Sequence, residues 1–74
     1  MGGRSKFEIR ALMLKVASGG AKKTQIVYGA YLNFDIVKPH LSELLRTGRI
    51  EQRGNRYYTT QAGAEYVTHV EAIA

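Results

Sequence analysis

Apolar residues recur along this chain at helical spacing in four places and alternate once as strands do. Ile9, Leu12, Met13 and Val16 fall three and four residues apart, as one face of a helix requires. Ser5-Lys6-Phe7-Glu8 ahead of them is a capping box, and Gly19-Gly20 is a stop signal, so a first helix lies between. Phe7 and Met13 are assigned to the core. Ile26, Val27 and Ala30 give a second, short helix its inward face, roughly Gln25 to Tyr31 with Thr24 as cap. Tyr31-Leu32-Asn33 reads as a turn. Asn33 then caps a third helix, Phe34 to Thr47, with Phe34, Val37, Leu41, Leu44 and Leu45 in one stripe. Arg46 suits the negative end of its dipole, and Gly48 ends it.

Beyond Gly48 the pattern changes. Arg49 to Gln52 and Arg56 to Thr59 flank Arg53-Gly54-Asn55, and Gly54-Asn55 is a hairpin-turn signal. Ala21-Lys22 is a candidate short strand that pairs with this hairpin. Thr60 caps a last helix from Gln61 to about Ile73, whose apolar side is Tyr66, Val67, Val70, Ile73 and Ala74. Two residues break the pattern. Gly29 weakens the second helix by about 1 kcal/mol relative to alanine. It is either a close-approach site for a neighbouring helix or a tolerated surface glycine. Pro39 sits past the first turn of the third helix, where proline costs about 3 kcal/mol. Either that first turn is irregular, or regular helix starts nearer Lys38.

This order of elements predicts an α+β, mostly helical fold. It is a winged helix-turn-helix with three core helices, a β-hairpin wing and a C-terminal helix. Residues 1–74 form one domain, with 1–4 expected to be flexible and 61–74 a candidate dimerisation element. Seventy-four residues bury only a marginal core, so association is expected to help. The apolar side of the last helix, Tyr66, Val67, Val70 and Ile73, is the expected interface of a homodimer. No cysteine is present, which excludes disulfides and thiol chemistry. No apolar run reaches membrane-spanning length, and the N-terminus lacks a signal-peptide core, so a cytoplasmic, nucleoid-associated protein is expected.

Net charge is +5, with a pI of about 9.8, which favours a polyanionic partner. The placement of the cations carries more weight. Arg49, Arg53 and Arg56 lie on or beside the hairpin and Asn55 at its tip, positions from which side chains reach phosphates or a minor groove. Asn33, Lys38, Ser42 and Arg46 share the solvent side of the third helix, where Lys38 and Arg46 suit phosphate or guanine edges and Ser42 suits either. Lys22, Lys23 and Thr24 open the second helix and can hold a phosphate. Asp35 and Glu43 oppose phosphate on the same helix. One of Tyr57 and Tyr58 belongs to the core, and the other lies near the wing. His40 and His69 fall on different helices and make no metal site, the acidic residues form no acid–base pair, and no glycine-rich phosphate loop exists. No catalytic residue, cofactor, metal or small-molecule ligand is expected.

With these residues in view, the chain resembles the small archaeal winged helix-turn-helix proteins, a group of DNA-binding regulators and chromatin-associated proteins. The shared landmarks are Arg4 to Ile9, Gly20-Ala21-Lys22-Lys23-Thr24 with Ile26 and Tyr28, and Ala30 to Asn33. Leu41 to Gly48, Ile50-Glu51, and Tyr58 to Thr60 with Gly63 complete them. The resemblance implies a winged-helix fold, a dimer built on the last helix, and DNA-facing positions at Lys38, Ser42, Arg46, Arg53 and Arg56. The chain departs from the pattern at Gly29 and Pro39, and its last helix is too short for a long coiled coil. The expected function is binding of double-stranded DNA in transcription regulation or chromosome organisation, without enzymatic activity. The alternatives are a protein–protein interaction module and a single-stranded nucleic-acid binder using Tyr57 or Tyr58.

Overall fold

Ser5 starts the first helix as its capping box requires. Its Oγ accepts from the Glu8 N–H at 3.2 Å, and Glu8 Oε1 accepts from the Ser5 N–H at 3.2 Å. In the computed structural model, which describes residues 5–30 and 33–73, six elements follow one another. They are α1 (Lys6–Val16), α2 (Lys23–Gly29), α3 (Phe34–Arg46), β1 (Ile50–Arg53), β2 (Arg56–Thr59) and α4 (Gln61–Ile73). The expected flexible Met1 to Arg4, Tyr31-Leu32 of the expected turn, and Ala74 lie outside the described residues. Among the described residues, no helix is long and apolar enough to cross a membrane.

The core forms around α1, which packs on α2, α3, α4 and β2. Met13, Leu14 and Ala17 are fully buried, Ala11 is nearly so, and Ile9, Leu12 and Val16 pack against the cluster. A helix surrounded on most sides buries more than one stripe, so Leu14 and Ala17 join the face that periodicity singled out. Phe7 is a correction: expected in the core, it is 49% exposed in the first turn of α1.

The second helix begins earlier than expected, and Thr24 is not its cap. Lys22 is the N-cap, in extended conformation, and its N–H donates to Gln25 Oε1 at 2.8 Å. This is the return half of a capping box, which needs only a backbone N–H at the cap and so tolerates lysine there. Gly29 is a close-approach site: a Cβ there would stand 2.7 Å from a Val16 methyl.

Asn33 caps α3 by accepting the Ile36 N–H at 2.9 Å, and the helix runs unbroken through Pro39 to Arg46. Pro39 is therefore interior to the helix, and the Asp35 carbonyl loses its i+4 donor. Val37, Leu41 and Leu44 are buried, whereas Phe34 (45%) and Leu45 (36%) are exposed at the edges of the expected stripe. The helix ends in a Schellman motif. Gly48 has φ 72°, Gly48 N–H donates to Leu45 O at 3.2 Å, and Arg49 N–H donates to Leu44 O at 2.9 Å.

β1 and β2 pair antiparallel, with Ile50 opposite Thr59 and Arg53 opposite Arg56. Gly54, at φ 60°, lies in the two-residue turn between them. Ala21 adds a third, one-residue strand: Ala21 N–H donates to Tyr57 O at 2.9 Å, and Tyr57 N–H to Ala21 O at 2.7 Å. Lys22 takes no part, since it caps α2.

The base of the hairpin is bonded to the end of α1 and to the residue just past α3 and its cap. Thr59 Oγ1 donates to Leu14 O of α1 at 2.6 Å, and Thr59 N–H to Ala17 O at 3.2 Å. Thr60 Oγ1 donates to Gly48 O at 2.6 Å and accepts from Gly63 N–H at 3.2 Å, which makes it the cap of α4 as expected. Gly63 is buried, and a Cβ there would collide with the Arg49 carbonyl and stand 2.7 Å from Thr59 Cγ2.

Two stability outcomes follow from this packing. Gly63→Ala should destabilise the domain by about 2–3 kcal/mol, because backbone lies opposite the new methyl and cannot give way cheaply. A denaturant midpoint shifted by less than a few tenths of a molar would show that α4 can slide off the hairpin base. Pro39→Ala should stabilise by on the order of 1 kcal/mol or more, since it restores the bond to Asp35 at an exposed position. A lower melting temperature would show that the proline ring is part of the packing.

Candidate nucleic-acid interface

Lysines from two helices meet over one apolar floor. A groove of about 170 Å³ is lined by Lys23 of α2, by Phe34, Lys38, Ser42 and neighbouring apolar residues of α3, and by Tyr57 of β2. Among the described residues, no acidic side chain lines it. Phe34 and Leu45, expected in the core, form part of this floor. The Lys23 ammonium stands 5.1 Å over the Phe34 ring, so its position is set by a cation–π contact. Lys38 and Ser42 are exposed, and Lys38 has no side-chain partner among the described residues. Lys22 and Thr24 are exposed beside Lys23 at the start of α2. Asn33 spends its side-chain oxygen on the α3 cap, which leaves its amide N–H groups for other partners.

The wing carries its arginines in different states. Arg53 and Arg56 face each other across the hairpin next to the turn, where like charges repel. Arg53 is held by Glu51 at 2.6 Å and lies 4.4 Å over the Tyr58 ring. The Glu51 carboxylate is the chief reason its guanidinium titrates above the ordinary arginine value. Arg56 is exposed with no side-chain partner among the described residues, and Asn55 is exposed in the turn. Arg49 is drawn away from the tip. Its guanidinium lies 4.7 Å over the Tyr66 ring, and Nη1 donates to Thr47 Oγ1 at 3.3 Å. On α3, Arg46 is paired with Glu43 at 2.5 Å, and the Arg46 hydrogen bond is the main cause that lowers the Glu43 pKa.

Sequence reasoning missed these local ion pairs, although the spacings Glu43–Arg46 and Glu51–Arg53 put each pair on one face of its element. It also missed the contact between α1 and α3 at His40. There, Arg10 Nε donates to His40 Nδ1 at 3.1 Å. Burial, and then the nearby Arg10 and Lys6 charges, lower the His40 pKa, which keeps Nδ1 free to accept. Tyr57 is the buried tyrosine of the pair. Tyr58 lies under Arg53 and against Gly20, where φ is 96° and a Cβ would stand 2.5 Å from the ring. One face is already in use by Arg53 and the ring is crowded by Gly20, which weighs against stacking on bases.

The last helix spends most of its apolar side within the chain. Val70 is buried, and Tyr66 and Val67 pack against the core, whereas Ile73 is 73% exposed. Ile73 borders an apolar groove of about 380 Å³ with Ser5, Phe7, Glu8 and Val70, between the start of α1 and the end of α4.

The comparisons agree with this architecture. A winged helix-turn-helix family model matches residues 3–74, and the chain belongs to that family. Among solved structures it is similar to Sso10a-2, a DNA-binding protein from Sulfolobus solfataricus. The TM-score is 0.84 at 27% identity, covering 95% of this chain and 78% of that one. A comparison with curated proteins finds no match.

Proposed function

We propose that this domain binds double-stranded DNA, with α3 entering the major groove and the β1–β2 wing following the backbone or the minor groove. The observation that carries the reading is the groove where Lys23, Lys38 and Ser42 converge, with no acid among the described residues that line it. The Lys23 ammonium is held over the Phe34 ring of its apolar floor, and Lys38 is exposed beside it. Exposed cations at Lys22 and Arg56 extend the same basic character to α2 and the wing. The similar solved protein is itself named as DNA-binding. The function assigned is transcription regulation or chromosome organisation in the cytoplasm, on the nucleoid.

Within this reading the residues divide by role. Lys22, Lys23 and Arg56 are phosphate contacts, joined by Arg53 and Arg46 when their carboxylate partners release them. Lys38 and Ser42 are the candidates for base edges, and Asn55 and Asn33 add polar contacts. Thr24 lies beside the α2 lysines. Arg49 supports the wing from its base through Tyr66 and Thr47.

A homodimer belongs to the same proposal. Exposed Phe7 and Ile73 beside one apolar groove favour self-association through the α1–α4 edge. The experiment is sedimentation of the wild type and Ile73→Lys at micromolar to high micromolar concentration. The wild type should be dimeric and the variant monomeric with an unchanged fold. A wild type that stays monomeric throughout removes the dimer from the proposal.

Duplex titrations over a range of salt test the DNA contacts. Arg56→Ala should weaken binding to all duplexes about equally and reduce the log–log salt slope by roughly 1. Lys38→Ala and Ser42→Ala should instead erode discrimination between sites, by about 1–3 kcal/mol for each good contact. Absence of duplex binding at low salt would overturn the reading and leave the domain a protein-contact module. Stronger competition by single strands than by duplex would redirect it to single-stranded nucleic acid.

A further inference from the structure

Two arginines of the proposed DNA face already hold an anion. Arg46 meets Glu43 through two bonds, Nε to Oε1 at 3.1 Å and Nη2 to Oε2 at 2.5 Å. Arg53 meets Glu51 Oε1 through Nε at 3.2 Å and Nη2 at 2.6 Å. Both pairs use the Nε–Nη2 edge, one of the forked edges that bind phosphate bidentately. Each pair lies within one element, three residues apart on α3 and two apart on β1, so it forms without tertiary rearrangement. Both are open to solvent, with Arg46 71% and Arg53 66% exposed, and such pairs add little to folding.

A carboxylate in this position changes how the arginine meets DNA. It cancels the charge that a distant phosphate would sense, and it occupies N–H groups that phosphate would use. Phosphate can then bind only by displacing the glutamate or by sharing one guanidinium with it. The Tyr58 ring fixes the Arg53 side chain further, so that guanidinium does not simply swing away from Glu51. Lys22, Lys38 and Arg56 have no such partner among the described residues.

We propose that Glu43 and Glu51 are built-in competitors of phosphate, which hold Arg46 and Arg53 in reserve and leave first contact to Lys22, Lys38 and Arg56. The inference rests on the DNA-binding reading above. Its consequence is a surface that binds arbitrary duplex weakly. Both arginines engage only where the fit of the DNA brings a phosphate close enough to displace the carboxylate.

The test compares Glu43→Gln and Glu51→Gln with Glu65→Gln, a control on α4, whose packing is with α1 and β2. Glutamine keeps the side-chain length but cannot neutralise arginine. In duplex titrations over a range of salt, Glu43→Gln and Glu51→Gln should each raise affinity about three- to tenfold at low salt. Each should also steepen the log–log salt slope by roughly 1. Glu65→Gln should gain less than either. In an Arg53→Ala background, most of the gain from Glu51→Gln should disappear, because the glutamate acts through that arginine. Unchanged affinity and slope in a wild type that binds duplex would overturn the competition while sparing the DNA reading. An equal gain from Glu65→Gln would reduce the effect to net charge and overturn it as well. A wild type that binds no duplex overturns the DNA reading itself, and this inference with it.

Discussion

The junction at Thr59 and Thr60 holds the molecule in register. These two residues end the wing and start the last helix, and their hydroxyls reach carbonyls on α1 and just past α3. Four elements are thereby tied at one point. Thr59 sets the hairpin against α1, Thr60 sets it against the end of α3, and Gly63 lets the first turn of α4 lie on the Arg49 carbonyl. The carbonyl groups left over at a helix end must find donors somewhere, and here threonine hydroxyls supply them. The orientation of the wing relative to α3 is a consequence of that bonding.

A small domain gains by using α1 as a shared centre. With few residues to bury, one helix that contacts all its neighbours yields a single core where two half-cores would fail. Small residues make the approach possible. Ala11, Ala17, Ala21 and Ala30 are all buried, and Gly29 admits the Val16 methyls. The cost is that little apolar surface remains to cover the ends, and Phe7 and Ile73 stay open at the α1–α4 edge.

The basic face is graded in its charge. Some cations are anchored on aromatic rings, as Lys23 is on Phe34 and Arg49 on Tyr66. Others are paired with a neighbouring carboxylate, and a few stand free. A net charge of +5 says nothing of this division, although the division governs how the face meets a polyanion.

Much of this protein was legible in its residues. Helical periodicity, the capping box at Ser5, the Asn33 and Thr60 caps, the Gly48 stop and the Gly54-Asn55 turn are local signals. Each acts within a few residues, so each can be read without knowing the fold. The order of those elements was enough to define a winged helix. Boundaries moved where a local signal had a competitor: Gln25 reaching back to Lys22 displaced Thr24 as cap of α2. Only tertiary structure decided which apolar residues are inside. Phe7, Phe34 and Leu45 carry the right pattern but are only partly covered by neighbouring elements, whereas Leu14 and Ala17 are buried because α1 is surrounded. Tertiary packing also decided which charges share a surface. The convergence of Lys23 with Lys38 depends on how α2 crosses α3, and the retreat of Arg49 depends on where α4 brings Tyr66. Those are distances between segments far apart in the chain, and spacing along the chain does not encode them.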